Sequence, residues 1–122
     1  MEKVTGIGRV FFKANDPADL ARWYRDHLGI TLTPTSYDEN PWRQEAGVTI
    51  FQPNSEGSWK GPREWLLNFR VRDLGAMAKQ LEEARIQVKV DPEVYPNGRF
   101  ARTADPEGNP IELWQPKDPA AK

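Results

Sequence analysis

Cysteine is missing from this chain, which excludes disulfides, thiolate metal centres, iron–sulfur clusters and a cysteine nucleophile. Histidine occurs once, as His27. A metal site needing two histidines of one chain is thereby excluded, and a serine–histidine triad has only His27 to draw on. Long hydrophobic runs are lacking too. The longest are three residues, as in Val10-Phe11-Phe12 and Trp65-Leu66-Leu67, against about 20 for a membrane span. Neither sign of charge dominates: 17 Lys and Arg stand against 18 Asp and Glu. Without a basic stripe, neither nucleic acid nor a membrane is an expected partner. The opening Met1-Glu2-Lys3-Val4 has no apolar segment of the kind that leads secreted chains, so a cytoplasmic location is the expectation. Tryptophan, by contrast, is plentiful, with five in 122 residues. Its large surface and polar handle suit the wall of a pocket. The length fits a single domain able to bury a core without staples.

Residues 6–14 alternate, with Val10, Phe12 and Ala14 on one face and Arg9, Phe11 and Lys13 on the other, which predicts a strand. Asp16 then offers an N-cap, Pro17 a first helical position and Asp19 a negative first turn. Leu20, Trp23, Tyr24 and Leu28 follow at helical spacing, and Gly29 stops the helix. Short strands are expected at 30–35, 42–45 and 48–52, and a loop over 53–64. The pattern then restarts. Residues 65–71 alternate, with Leu67, Phe69 and Val71 on one face and Leu66, Asn68 and Arg70 on the other. Asp73 caps a second helix with the stripe Leu74, Met77, Ala78, Leu81 and Ala84. An extended stretch over 86–95, a turn at Pro96-Asn97-Gly98, strands over 99–104 and 110–115 and a frayed tail from 116 complete the reading.

The two caps, Asp16 and Asp73, lie 57 residues apart. At that offset Val10 matches Leu67, Phe12 matches Phe69, Tyr24 matches Leu81, and Ala21 matches Ala78 identically. The chain thus reads as β-α-β-β-β twice. Module one covers about 4–53, a linker 54–64 and module two about 65–116. The fold class is α+β, with two βαβββ modules forming a cupped mixed sheet and helices outside.

Three stretches carry a family resemblance: Phe12-Lys13-Ala14-Asn15-Asp16 with Trp23-Tyr24 and Leu28-Gly29; Phe69-Arg70-Val71-Arg72-Asp73-Leu74; and Asp105-Pro106-Glu107-Gly108-Asn109-Pro110-Ile111-Glu112-Leu113-Trp114. Together they resemble the vicinal oxygen chelate superfamily, which includes lactoylglutathione lyase, the bleomycin-resistance proteins and the extradiol dioxygenases. The resemblance spans roughly residues 4–116. It implies a concave small-molecule pocket and commonly a homodimer, in which the cup is built within one chain or across two. It also implies glycine after Leu81-Glu82-Glu83-Ala84, where this chain has Arg85; Arg85 is therefore expected at positive φ.

Metal-dependent members of the superfamily place four ligands on the concave face. Carried over position by position, these fall on Arg9, Leu66, a residue at or beside Phe51, and Glu112. Only Glu112 is a ligand type. Arginine stays cationic and has no lone pair to give, and a transition metal needs three or more donors. No cofactor is therefore expected, with a divalent metal as the alternative. Ile111 and Leu113 should point to the helices, leaving Glu112 and Trp114 on the concave side. There Glu112 is either a structural carboxylate or a general base, and a facing Arg9 would blunt its basicity. An inward Arg9 would offer a fork to a carboxylate-bearing ligand. Ligand contacts are expected from Arg9, Phe11, Phe51, Leu66, Asn68, Glu112 and Trp114, with Glu112 the one catalytic candidate. Trp42 and Trp59 read equally well as rims, dimer contacts or loop anchors. His27 faces away at the end of the first helix. Three functions stay open: binding or sequestering a small, partly apolar ligand; a metal-dependent lyase, isomerase or dioxygenase of the glyoxalase type; or a metal-free enzyme with Glu112 as base. A superfold of this kind hosts many chemistries.

Overall fold

The computed structural model of the protein describes residues 1–117. Two helices and four strands form, in the order α1 (Pro17–Leu28), β1 (Leu67–Arg70), α2 (Leu74–Glu83), β2 (Lys89–Val90), β3 (Gly98–Ala104) and β4 (Pro110–Pro116). The strands make one open mixed sheet in the order β1-β4-β3-β2. β1 runs parallel to β4, and β3 pairs antiparallel with both β4 and β2.

Both helices begin as the sequence dictates. The Asp16 carboxylate accepts from Asp19 N at 3.0 Å, and Asp73 accepts from Ala76 N at 2.9 Å. Each satisfies one of the N–H groups that a helix start leaves without a partner. α1 ends at Gly29, which has φ 72°. α2 ends with Arg85 at φ 63°, the one non-glycine residue at positive φ among those described. There Arg85 N donates to Glu82 O and Ile86 N to Leu81 O, both at 2.9 Å. These bonds satisfy two of the helix's last carbonyls in the usual left-handed ending. Arginine occupies a conformation that glycine adopts at lower cost.

Both helices lie on one face of the sheet. Leu20 and Tyr24 of α1 and Leu74 and Leu81 of α2 close over Ala101, Ile111 and Leu113. Leu74, Leu81, Ile111 and Leu113 are fully buried, each contributing roughly 2 kcal/mol by burial.

A polar node lies beside this core. Asp105 and Asn109 are buried at the turn between β3 and β4. The Asp105 carboxylate accepts from Glu107 N (2.8 Å), Asn109 N (3.0 Å), Asn109 Nδ2 (2.6 Å) and the Tyr24 hydroxyl (2.7 Å). The turn reaches back further through Glu107, whose carboxylate accepts from Asn15 N at 2.7 Å and Asp16 N at 3.0 Å. The turn therefore fixes both the start of α1 and its middle.

The first half of the chain departs from expectation. The strands expected at 6–14, 30–35, 42–45 and 48–52 do not form. Strands depend on hydrogen bonds to a neighbour, and these stretches have none beside them in the single chain. Their apolar residues stay exposed, Phe11 to 82% and Phe51 to 85%. In the second half, β1 is shorter than the expected 65–71 stretch, and the extended 86–95 stretch forms a strand only at Lys89–Val90. The expected tail starts later than 116: Pro116 belongs to β4, and Lys117 N donates to Asn97 O at 3.3 Å. Its remainder, 118–122, lies outside the described residues. Among the described residues no helix is long and apolar enough to cross a membrane.

Two measurements check this account. Arg85→Gly should raise stability by about 0.5–1 kcal/mol in paired urea melts; a less stable variant would mean that Arg85 contacts outweigh its backbone strain. Tyr24→Phe should lower stability by about 2 kcal/mol, because a buried bond to a charged acceptor is lost. Burial first, then the hydrogen bond to Asp105 and its charge, push the Tyr24 hydroxyl well above the ordinary tyrosine value. The folded chain therefore keeps a proton that the unfolded chain releases near pH 10. This contribution is complete below pH 10 and fades as pH rises above it. The alkaline fall in stability should be shallower in Tyr24→Phe. Tyr95, raised by its bond to Asp91, supplies a fall of the same sign.

Candidate functional site

The helix-free face of the sheet carries the polar and aromatic residues. The β3–β4 hairpin pairs residues equidistant from Glu107, so Phe100 faces Trp114 and Arg102 faces Glu112. β1 adds Asn68 beside Glu112 and Arg70 beside Trp114. Since Ile111, Leu113 and Ala101 are in the core, period-two alternation puts Asn68, Glu112 and Arg102 in one row on the opposite face. The row is bonded throughout. Asn68 Nδ2 donates to Glu112 Oε1 at 2.8 Å, and Arg102 Nε donates to Glu112 Oε2 at 2.9 Å. The Glu112 side chain is 21% exposed and that of Arg102 49%.

One step along lies an aromatic band. The Phe100 and Trp114 rings are parallel within 1°, with centroids 6.2 Å apart, and Tyr95 meets Phe100 edge-on at 5.8 Å. Trp114 Nε1 donates to Asn97 O at 2.8 Å. A Cβ on Gly98 would collide with Gln115 O and crowd that indole nitrogen, so only glycine lets the turn and the Trp114 ring approach this closely. Asp91 holds the same loop by accepting from Glu93 N and the Tyr95 hydroxyl, bonds that keep its carboxyl below the usual range. On β1, Arg70 Nη2 donates to Glu45 O at 3.2 Å. Its guanidinium fills the space where a Cβ of Gly47 would stand, so the 45–47 segment lies against this end of the face.

Of the residues singled out from sequence, the structure brings Asn68 and Glu112 into contact and sets Trp114 on the same face. Leu66 is partly buried just ahead of β1. Trp114 is 92% covered by its own surroundings, being 8% exposed, so it offers less surface to a ligand than expected. Arg9 and Phe11 lie on the exposed N-terminal stretch, the Arg9 guanidinium 5.7 Å from the Phe11 ring. Phe51 is likewise exposed. Within the single chain it is Arg102, and not Arg9, that bonds Glu112. The hairpin register is the signal that finds Arg102: five residues before Glu107, it must face Glu112, five residues after. Phe100 follows from the same count.

His27 stands away from this face, 5.4 Å from the Trp23 ring. Trp59 is a loop anchor, its Nε1 donating to Arg63 O at 2.9 Å. Among the described residues, no three or more His, Asp or Glu side chains gather as a metal-binding group. Two open depressions lie off this face. One of about 290 Å³ is lined by Glu82, Arg85 and Val88 at the end of α2. One of about 580 Å³ lies between the N-terminal stretch, Arg63, Trp65 and the β3–β4 turn.

A double-mutant cycle of Arg102→Met and Glu112→Gln should give a coupling energy of about 1 kcal/mol, the scale of a half-exposed pair. Zero coupling would mean that the row is not held together by charge.

Several comparisons bear on this architecture. The family profile described as a Glyoxalase-like domain matches residues 9–114. No curated protein matches the chain. Among solved structures, the antibiotic binding protein TnmS3 from Streptomyces sp. CB03234 aligns over 96% of this chain and 100% of its own, at 23% identity and a TM-score of 0.65. A lactoylglutathione lyase from Agrobacterium tumefaciens aligns over 93% and 95%, at 16% identity and a TM-score of 0.57. A putative glyoxalase family protein from Bacillus anthracis aligns over 81% and 84%, at 21% identity and a TM-score of 0.54. At these identities the structural likenesses establish the fold. The profile establishes kinship, since it runs through both helix caps and the Asp105–Asn109 turn: the chain belongs to the glyoxalase-like family, within the vicinal oxygen chelate superfamily.

Proposed function

We propose that this protein binds a small, planar, partly apolar molecule on the helix-free face of its sheet, without a metal ion, in order to hold or sequester it. The observation that carries this reading is the bonded row Asn68–Glu112–Arg102 beside the Phe100–Trp114 band. Small-ligand sites combine apolar walls with a few fixed polar groups, and this face has that composition. The Arg102 guanidinium, half exposed, is placed to meet an anionic or hydrogen-bonding end of the ligand.

The residues at the superfamily's ligand positions do not fit a metal. Arg9 repels a cation, Leu66 and Phe51 lack donor atoms, and both oxygens of Glu112 already accept bonds from Asn68 and Arg102. The same two bonds take one lone pair on each Glu112 oxygen, so a substrate proton would have to reach the remaining lone pairs past Asn68 and Arg102. The likeness to an antibiotic binding protein favours retention of a ligand over its conversion.

The second half of the cup belongs to this reading. Module one, about 4–53, carries Phe11 and Phe51 on stretches that lack strand partners, joined by the 54–64 linker to module two at about 65–116. In a homodimer these stretches gain partners and bring both rings toward a ligand.

Purified, untagged protein should hold far less than one equivalent of transition metal after dialysis. A thermal-shift screen of planar aromatic acids and aromatic antibiotics should find a compound that raises Tm, quenches Trp fluorescence and loses its effect in Phe100→Ala. At a hundred times Kd the stabilisation is about 2.7 kcal/mol. Stoichiometric metal, or hits that bind Phe100→Ala unchanged, would overturn the reading.

A further inference from the structure

The depression of about 580 Å³ between the N-terminal stretch and the β3–β4 turn lies apart from the helix-free face of the sheet. Its size falls within the usual range for small-molecule sites. Lys13, Asn15, Arg63, Trp65, Glu107 and Asn109 line most of it.

The polar groups divide into those already engaged and those left over. Both Glu107 oxygens accept backbone N–H groups, from Asn15 and Asp16. Asn109 is engaged at both ends of its amide, accepting from Arg63 Nε at 2.9 Å and donating to Asp105 at 2.6 Å. Arg63 is fixed from three directions. Its backbone carbonyl accepts from Trp59, Nε donates to Asn109, and Nη2 donates to Glu107 O at 2.9 Å. All its acceptors are uncharged amide or carbonyl oxygens, so no carboxylate bonds to it directly; the Glu107 carboxylate, bonded only to backbone N–H groups, is the one anion in the lining. Among the described residues four ion pairs form, and neither Lys13 nor Arg63 takes part in any of them. The lining thus retains an ammonium, the Nη1 edge of an immobilised guanidinium and the Asn15 amide. Beside them stands Trp65, which leans on Phe12 with centroids 5.3 Å apart.

Two cations against the single Glu107 carboxylate leave the lining net positive, and with one cation already held rigid next to an indole wall they make a receptor for an oxyanion attached to a flat apolar group. We infer that this cleft is a second ligand site, one that takes an aryl carboxylate or aryl phosphate. Lys13 and Arg63 Nη1 meet the anion, and Trp65 meets the ring. The charge-assisted bonds supply the affinity, and Arg63 loses little freedom on binding because its rotamer is already set.

The test follows the Trp indole N–H signals by NMR, assigned through single Trp→Phe variants, during titration with benzoate, phenyl phosphate and uncharged benzyl alcohol. The expected result is a saturable shift of the Trp65 signal with both anions, a much smaller one with benzyl alcohol, and a Kd raised about tenfold in Lys13→Glu. Lys13 is exposed and bonds to no side chain among the described residues, so a melt of Lys13→Glu should match the wild type and confirm that the variant is folded. Equal response to benzyl alcohol, equal affinity in Lys13→Glu, or no Trp65 shift at all would overturn the inference. A shift confined to Trp114 would overturn it while leaving ligand binding at the helix-free face intact.

Discussion

The Asp105 carboxylate is the point on which the rest of the structure depends. A charge buried this deeply is tolerated only when hydrogen-bond donors replace the water it loses. Four donors do so, three from its own turn and one from Tyr24. No described buried side-chain polar atom is left without a partner. Since the Tyr24 hydroxyl comes from α1, closing the turn and docking the helix are a single event. Glu107 extends the same event to the N-terminus of α1 and Arg63 extends it to the linker. A run of five residues, Asp105-Pro106-Glu107-Gly108-Asn109, thereby ties together parts of the chain more than 90 residues apart in sequence. Its role is architectural, which is why so specific a motif reveals the fold and says little about chemistry.

The turn also sets the register of the helix-free face. Fixing Glu107 at the tip of the hairpin forces Arg102 opposite Glu112 and Phe100 opposite Trp114. A slip of one residue would carry Ile111 and Leu113 out of the core and put Glu112 into it, an exchange of buried apolar surface for a buried charge that the sheet cannot support. The polar row is therefore as strongly determined as the core, and by the same cause. Within the single chain the counterion for Glu112 comes from the neighbouring strand, where geometry guarantees proximity.

How much of this the sequence discloses depends on the range of the interaction that makes each element. Helix caps are local. Asp16 and Asp73 are legible because their partners lie three residues on, and Gly29 and Arg85 are legible because a helix end has few ways to turn. The inward or outward sense of Glu112 and Trp114 is legible because alternation is local too. The Arg102–Glu112 pair was within reach of the same reasoning, through the hairpin count. The Tyr24–Asp105 bond was not: the partners are 81 residues apart, and no periodicity signals that a tyrosine on one helix meets an aspartate in a distant turn. Trp114 shows the opposite failure, since its position is legible but its covering by Asn97, Gly98 and Phe100 depends on a turn whose closeness only the folded backbone reveals.

The contrast between α1 and the strands around it follows from the same distinction. α1 belongs to the first module by sequence, yet its buried residues Leu20 and Tyr24 pack on the sheet of the second. A helix satisfies its backbone internally, so it needs only an apolar surface to rest on, and Ile111, Leu113 and Phe69 provide one. The flanking stretches 6–14 and 42–52 have the alternation of strands but must find their hydrogen bonds in another segment. The four-stranded sheet does not supply them in the single chain. Those stretches keep Phe11, Ile50 and Phe51 exposed, while the helix between them is docked. An alternating segment left this way retains the capacity to pair with any suitable edge. The half that carries Glu112 and the aromatic band is thus determined by the turn at Asp105, whereas the sheet of the single chain does not fix the alternating stretches of the first half.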